Sequence, residues 1–127
     1  MIILDSSVWI AFFNNTDSQH KKAQKIFQEL NEKIILPEYV IIEVCSVLLL
    51  KASVKITNNF IEIALNNTEV GILLADQMFF YNTLNGFKNI LNEKLSFIDS
   101  ALLYLSKSYK IITFDGNLDT MIKKANI

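Results

Sequence analysis

Four acidic residues occupy positions in which a carboxylate could do more than face solvent. Asp5 and Asp115 each follow a short apolar run that is typical of a β-strand. Glu43 lies in a stretch that is apolar on nearly every helical face, and Asp99 has apolar neighbours on both sides. An ionised carboxylate in such surroundings is unfavourable unless it is paired, hydrogen-bonded or bound to a cation. These four acids are therefore the candidate site.

Binding of a divalent metal ion is the chemistry that suits this set. If the four carboxylates converge, each close pair repels by about 4 kcal/mol at a surface-like dielectric constant, and a divalent cation removes that repulsion. The chain has one cysteine, Cys45, and one histidine, His20. One residue of each type is too few for a cysteine-based zinc site or for the common histidine-rich metal sites. Carboxylate oxygens alone are typical ligands of Mg²⁺ or Mn²⁺.

Each acid also has a local interpretation. Asp5 could cap the helix that follows it, Asp99 could complete a capping box at the start of its own helix, and Asp115 could belong to a turn. Glu43 has the weakest local interpretation, because its apolar helix is expected to be central and buried. Ser46, one helical turn further on, could support it.

Other catalytic classes fit less well. Glycine occurs only at positions 71, 86 and 116, so the glycine-rich phosphate-binding loops cannot be formed. A Ser/His/Asp hydrolase would require His20, which lies beside a lysine-rich helix that is more simply interpreted as a solvated face.

The elements that must position the acids alternate between strand and helix. Apolar runs predict four strands: Met1–Leu4, Lys33–Leu36, Val70–Leu74 and Lys110–Phe114. Capping residues indicate three helices: one that begins after Asp17 or Ser18, one from Pro37 to about Lys51, and one from Ser96 to about Tyr109. Apolar spacing indicates two more, over Ile56–Leu65 and Phe80–Leu91, and Leu118–Ala125 forms a short final helix. Because no strand alternates apolar with polar residues, we expect both faces of the sheet to be covered. The chain is predicted to be one α/β domain over residues 1–127, a three-layer sandwich with a central, mainly parallel sheet of four to five strands between helices.

Composition limits the possible partners. The 127 residues are 51% hydrophobic, and the 12 basic residues, all lysine, nearly balance the 13 acidic ones. Without arginine, the chain lacks the bidentate groups that proteins favour for phosphate. Lysines that could flank an acidic cleft are Lys21, Lys22, Lys25, Lys123 and Lys124, although ordinary solvated faces explain them more simply. No targeting or membrane-spanning segment is evident, so a cytoplasmic protein is expected.

In their order along the chain, the predicted strands and helices and the four acids resemble those of the PIN-domain family, and most of all those of the small VapC-type toxins of toxin-antitoxin pairs. The resemblance extends from Met1 to about Ala125. It rests on a first strand that ends in Asp5-Ser-Ser, a helix opening over Asp17–Ala23, and the segments Leu36-Pro-Glu-Tyr-Val-Ile-Ile-Glu43, Phe97-Ile-Asp-Ser-Ala-Leu102 and Ile112-Thr-Phe-Asp115.

By this resemblance, Asp5, Glu43, Asp99 and Asp115 match the family's acidic quartet, which coordinates Mg²⁺ or Mn²⁺ and supports endonucleolytic cleavage of RNA. Supporting polar positions that orient the acids are Ser6, Ser7, Thr113 and Asn117. The family often has a second aspartate where this chain has Asn117, and Asp119 follows two residues later. Whether Asp115, Asp119 or both serve the metal is open.

The resemblance also implies partners. A VapC-type toxin would act on RNA, bind a cognate antitoxin protein and form a homodimer. Two alternatives share the fold: a catalytically inactive PIN-like binding or scaffold domain, and a housekeeping PIN ribonuclease outside any toxin-antitoxin pair. Metal binding separates the first alternative from the enzyme, and the neighbouring genes separate the second.

Overall fold

The computed structural model describes residues Met1–Ile127, in which four strands alternate with seven α-helices. The strands are β1 (Ile2–Leu4), β2 (Ile34–Pro37), β3 (Val70–Leu73) and β4 (Lys110–Ile112). The helices are α1 (Ser6–Phe13), α2 (His20–Glu29), α3 (Glu38–Lys51), α4 (Val54–Asn66), α5 (Gln77–Asn89), α6 (Phe97–Leu105) and α7 (Gly116–Ala125), and a 3₁₀ turn covers Leu91–Glu93.

All four strands form one parallel sheet in the order β3-β2-β1-β4. Ile2 of β1 pairs with Ile34 of β2 on one side and with Lys110 of β4 on the other, and Ile35 pairs with Gly71 of β3. The central strands β1 and β2 are buried along their whole length, whereas the edge strands β3 and β4 are only partly covered. The predicted α/β fold with a parallel sheet between helices is confirmed, with four strands.

Aromatic contacts and one glycine determine how the helices pack. The ring of Trp9 on α1 lies 5.1 Å from that of Phe27 on α2 and 5.4 Å from that of Phe60 on α4, measured between ring centres. Helices α5 and α6 approach each other closely at Gly86 of α5. A Cβ atom on this residue would lie only 3.0 Å from Oγ of Ser100 on α6. Glycine disfavours a helix by about 1 kcal/mol relative to alanine, and this close approach of α5 to α6 explains its presence.

Two predicted helix ends are wrong. The second helix begins at His20 and its N-cap is Gln19, with no side-chain cap, because the Asp17 carboxylate accepts a hydrogen bond from the Gln19 amide at 2.8 Å in the preceding turn. The helix predicted to reach Tyr109 ends at Leu105, because the serine-rich segment that follows it forms a turn instead.

The helix that carries Glu43 is less buried than its apolar sequence predicts. On α3, Ile42 is 55% exposed and Leu50 is 86% exposed, so only one side of the helix faces the core. Phe80 and Tyr81 on α5 are also exposed, although both are large aromatic residues. Hydrophobicity alone cannot show which face of an apolar helix meets the sheet. None of the helices has the length and apolarity needed to span a bilayer.

Candidate active site

Two of the four acids lie where β1 and β4 end side by side. Asp5 follows β1, its amide donates to the carbonyl of Ile112 at 2.9 Å, and it is only 4% exposed. Its carboxylate caps α1 by accepting from the Ser6 amide at 2.7 Å. Asp115 caps α7, accepting from two first-turn amides at 2.9 and 3.2 Å. Parallel strands bring their carboxyl ends to one edge of a sheet, so these two caps face the same crevice.

Hydroxyl groups surround the Asp5 carboxylate. It accepts from Ser6 Oγ at 3.1 Å, from Ser7 Oγ at 2.9 Å and from Thr113 Oγ1 at 2.7 Å. The Ser7 hydroxyl accepts from the Phe114 amide at 3.1 Å, which ties α1 to the segment after β4. Both oxygens of Asp5 are therefore engaged, and its buried charge is compensated by hydrogen bonds rather than by a basic side chain.

Glu43 joins this network through α1. The hydroxyl of Ser6 lies between Asp5 and Glu43 and contacts both carboxylates, which links α1 to α3. The expected support from Ser46 is wrong, because that hydroxyl donates to the carbonyl of Ile42 at 2.9 Å and is exposed. Serine within a helix often bonds back to the carbonyl four residues earlier.

Asp99 has both a local partner and distant charged neighbours. It forms the expected capping box, in which the Ser96 amide donates to its carboxylate at 2.9 Å and its own amide donates to the Ser96 hydroxyl at 3.0 Å. Burial raises the pKa of the Asp99 carboxyl above its ordinary value, and the negative charges of Asp5 and Asp115 raise it further, against the lowering effect of the Ser96 hydrogen bonds. Asp99 therefore caps its own helix and also belongs to the cluster of acids.

The four acids line a single open cavity of about 330 Å³, here called the acidic cavity. Its lining residues are Asp5, Ser6, Ser7, Ile10, Glu43, Ser96, Asp99 and Asp115. The lining contains four carboxylates and no basic side chain, and none of these carboxylates forms a salt bridge. The structure thus brings together the residues that the sequence singles out from four separate segments.

The donor chemistry of the acidic cavity suits a hard divalent ion. Hydrogen bonds within the protein engage one oxygen each of Glu43, Asp99 and Asp115, which leaves the second oxygen of each carboxylate available. As they stand, no three acidic, histidine or cysteine side chains lie close enough together to hold an ion. One or two carboxylates completed by water molecules are the usual ligand set of Mg²⁺, so the acidic cavity needs no cluster of three protein ligands.

Three of the predicted site residues do not line the acidic cavity: Thr113, which reaches it through its hydrogen bond to Asp5, and two residues of α7. Asp119 forms an exposed ion pair with Lys123 at 2.9 Å on the next turn of α7. Asn117 reaches the acids only through its backbone amide, which donates to Asp115, while the residue itself lines a neighbouring cavity. Asp119 lies one turn beyond the cap Asp115, about 6 Å further along the axis of α7, and its carboxylate pairs there with Lys123.

Two of the lining residues were not predicted from the sequence to belong to the site. Ser96 lines the acidic cavity as well as capping α6, and its spacing from Asp99 is the signal that could have placed it there. Ile10 lies three and four residues after Ser7 and Ser6 on α1, so helical spacing puts all three on one face.

Comparison with solved structures shows the fold. VapC20 from Mycobacterium tuberculosis, described as a sarcin-ricin loop cleaving toxin, superposes with a TM-score of 0.85 at 19% identity, over 94% of each chain. FitAcB from Neisseria gonorrhoeae gives a TM-score of 0.65 at 17% identity, covering 97% of this chain and 94% of the other. No curated protein sequence matches the chain.

Comparison with protein families covers nearly the whole sequence. The sequence model of the PIN domain family matches residues 2–124, a range that includes the four acids and every strand of the sheet. The chain belongs to the PIN domain family.

Proposed function

We propose that the chain is a divalent-metal-dependent endoribonuclease that hydrolyses RNA phosphodiester bonds and serves as the toxin of a toxin-antitoxin module. The observation that carries the proposal is the acidic cavity, in which four carboxylates from separate segments meet without a basic partner in a PIN-domain chain. The description of VapC20 as a toxin that cleaves the sarcin-ricin loop supports RNA as the substrate class.

The residues proposed to hold Mg²⁺ or Mn²⁺ are Asp5, Glu43, Asp99 and Asp115. Such an ion supplies positive charge that stabilises the charge developing on the phosphate during hydrolysis. The chain's own contribution is to preorganise the acids: Ser6, Ser7 and Thr113 fix the Asp5 carboxylate, and Ser96 fixes that of Asp99. Rigidly held ligands keep a reacting phosphate in one position.

Protein partners are part of the same proposal. We propose that the chain forms a homodimer and binds a cognate antitoxin protein. Exposed large apolar side chains on two helices, Leu49 and Leu50 of α3 and Phe80, Tyr81 and Leu84 of α5, support contact with other proteins. An RNA substrate would place the activity in the cytoplasm. Sedimentation of the purified chain should give the mass of a dimer.

One observation favours a catalytically inactive PIN-like binding domain instead. No three acidic side chains are close enough together to chelate an ion as they stand. An inactive domain would keep the architecture but show no affinity for metal. A Mn²⁺-dependent rise in melting temperature therefore supports the enzyme, and its absence supports the binding domain.

RNA cleavage by the purified protein is the direct test. We expect the protein to cut single-stranded RNA with Mg²⁺ or Mn²⁺, and a chelator to stop the reaction. Asp99→Asn should reduce the rate by about 100-fold or more. The matched control is Asp76→Asn, which alters an exposed capping aspartate on α5 outside the acidic cavity. Equal activity of the Asp99→Asn variant and this control would rule out the proposed site.

A further inference from the structure

A second cavity of about 330 Å³ adjoins the acidic cavity and is here called the lysine cavity. Its lining residues are Asn92, Glu93, Lys94, Leu95, Asn117, Thr120, Met121 and Lys124. Six of these eight side chains are polar, and they come from the 3₁₀ turn with the residues after it and from α7. Nothing in the proposed metal chemistry uses them.

The two cavities have no lining residue in common, but residues next to each other in two segments of the chain line one or the other. Ser96 lines the acidic cavity and the preceding residues, Lys94 and Leu95, line the lysine cavity. Asp115 lines the acidic cavity and Asn117, two residues later, lines the lysine cavity. A polymer whose phosphate lies among the four acids therefore has the lysine cavity beside it on the α7 side.

The charge of the lysine cavity is opposite to that of its neighbour. It contains two lysines against one glutamate, and neither Lys94 nor Lys124 forms a salt bridge. The two ammonium groups in the cavity are free to bind an anion, and lysine binds phosphate as a point charge.

The backbone at Lys94 adds an independent observation. Lys94 has φ 57° and ψ 33°, and no other residue in the chain has positive φ. This left-handed conformation is unfavourable for any residue with a Cβ, whereas glycine adopts it freely. A lysine held there places a cation on the cavity wall at a position where glycine would be more stable.

The α7 wall carries donors along one helical face. Asn117, Thr120 and Lys124 follow a spacing of three and four residues, so they lie on the same side of the helix, over a length of about 10 Å. Amide, hydroxyl and ammonium groups are the side-chain donors that contact phosphate oxygens and sugars in nucleic-acid complexes. This face begins two residues after Asp115, whose carboxylate accepts a hydrogen bond from the Asn117 amide at 2.9 Å.

We propose that the lysine cavity binds a backbone phosphate of the RNA next to the bond that is cut, with Lys94 and Lys124 as its cations. The inference rests on the proposed ribonuclease function and adds a binding subsite to it. Phosphate contacts carry no sequence information, so the subsite contributes to affinity for every RNA rather than to choice of sequence.

Equilibrium binding tests the subsite separately from cleavage. A labelled single-stranded RNA is titrated with protein carrying Asp99→Asn to prevent cutting, at several salt concentrations. Adding Lys94→Gln and Lys124→Gln should raise Kd by about 10-fold and lower the slope of log K against log salt by about 0.7 for each lysine that no longer neutralises a phosphate. The matched control is Lys51→Gln with Lys55→Gln, two lysines that line neither cavity.

A glycine variant separates binding from folding. Lys94→Gly suits the left-handed backbone, so it should melt at the same or a higher temperature while its Kd for RNA rises several-fold. A merely structural role for Lys94 would move both readouts together.

The outcomes distinguish the two proposals. If the unaltered protein cuts RNA but the lysine variants bind it as the control does, the subsite is overturned and the ribonuclease proposal stands. If the unaltered protein neither cuts nor binds RNA, both fall. If the lysine variants bind RNA as the control does but lose an affinity for an acidic peptide that the control retains, the cavity belongs to a protein partner and the RNA subsite is overturned.

Discussion

The acidic cavity and the lysine cavity meet at the first turn of α7, yet their charges are compensated in different ways. In the acidic cavity, the buried carboxylate of Asp5 accepts four hydrogen bonds from neighbouring groups and has no cation. In the lysine cavity, Lys94 and Lys124 have no carboxylate partner. The first region is organised by internal hydrogen bonds and carries excess negative charge, whereas the second carries excess positive charge. Together they suit a metal ion and a polyanion lying side by side.

The largest expected effect separates two acids on one helix. Asp115→Asn should reduce RNA cleavage by about 100-fold or more, because Asp115 lines the acidic cavity, whereas Asp119→Asn should leave the rate nearly unchanged. Initial rates with Mn²⁺ measure both. A large loss in the Asp119→Asn variant would assign the metal to the next turn of α7 and remove the boundary drawn between the two cavities.

Metal binding should stabilise the fold through the acidic cavity alone. Mn²⁺ at 100 times its dissociation constant is expected to add about 2.7 kcal/mol to the free energy of unfolding. This increase in stability with Mn²⁺ should disappear in the Asp5→Asn variant and persist in the double variant Lys94→Gln with Lys124→Gln. Thermal melts with and without Mn²⁺ measure it, and an equal gain in all three proteins would mean that the ion binds elsewhere.

The internal hydrogen bonds of the acidic cavity can be tested at Thr113. Its hydroxyl donates to Asp5 at 2.7 Å and accepts from the Asp115 amide at 2.9 Å. Thr113→Val should lower the free energy of unfolding by about 2 kcal/mol, because it removes a bond to a charged group and leaves an amide unpaired. Thr16→Val is the control, since its hydroxyl contacts only exposed Asn14. Equal urea midpoints for the two variants would show that these hydrogen bonds do not stabilise the fold.

The smallest effect concerns pH. The folded pKa of Asp99 is raised above its ordinary 3.8, so the folded state holds a proton that the unfolded state has released between those two values. In metal-free buffer, stability should therefore fall as pH rises through this window. The Asp99→Asn variant should not lose stability in this window, so its melting temperature at pH 7 should exceed that of the unaltered protein. The difference in melting temperature should disappear below pH 4. A difference that does not change with pH would exclude this cause.

Much of the fold follows from local patterns. The continuous apolar runs around Ile3 and Ile35 predict strands buried on both faces, and the capping box of Ser96 and Asp99 is legible from spacing. Local patterns do not predict the orientation of a helix whose faces are equally apolar, because tertiary contacts determine it. The helix containing Ile42 is apolar all round, and only packing shows which side remains exposed.

The candidate site divides in the same way. Its four acids can be selected from the sequence because each stands next to a strand end or among apolar neighbours, where an unpaired charge is unfavourable. Their connections could not be selected: Ser46 shares a helix with Glu43, but Ser6 on another helix makes the contact. A hydrogen bond between residues 37 positions apart depends on how two helices are placed, and that is a property of the folded chain.

The sequence by itself determined the element order, the parallel sheet, the PIN resemblance and the identity of the acids, because these depend on residue type and short-range periodicity. Only the tertiary structure decided that Asp115 rather than Asp119 lines the acidic cavity, and that Lys94 and Lys124 lie beside it. The physical reason is that a charge acts over distances of a few ångströms in space, and packing sets those distances between segments far apart in the chain.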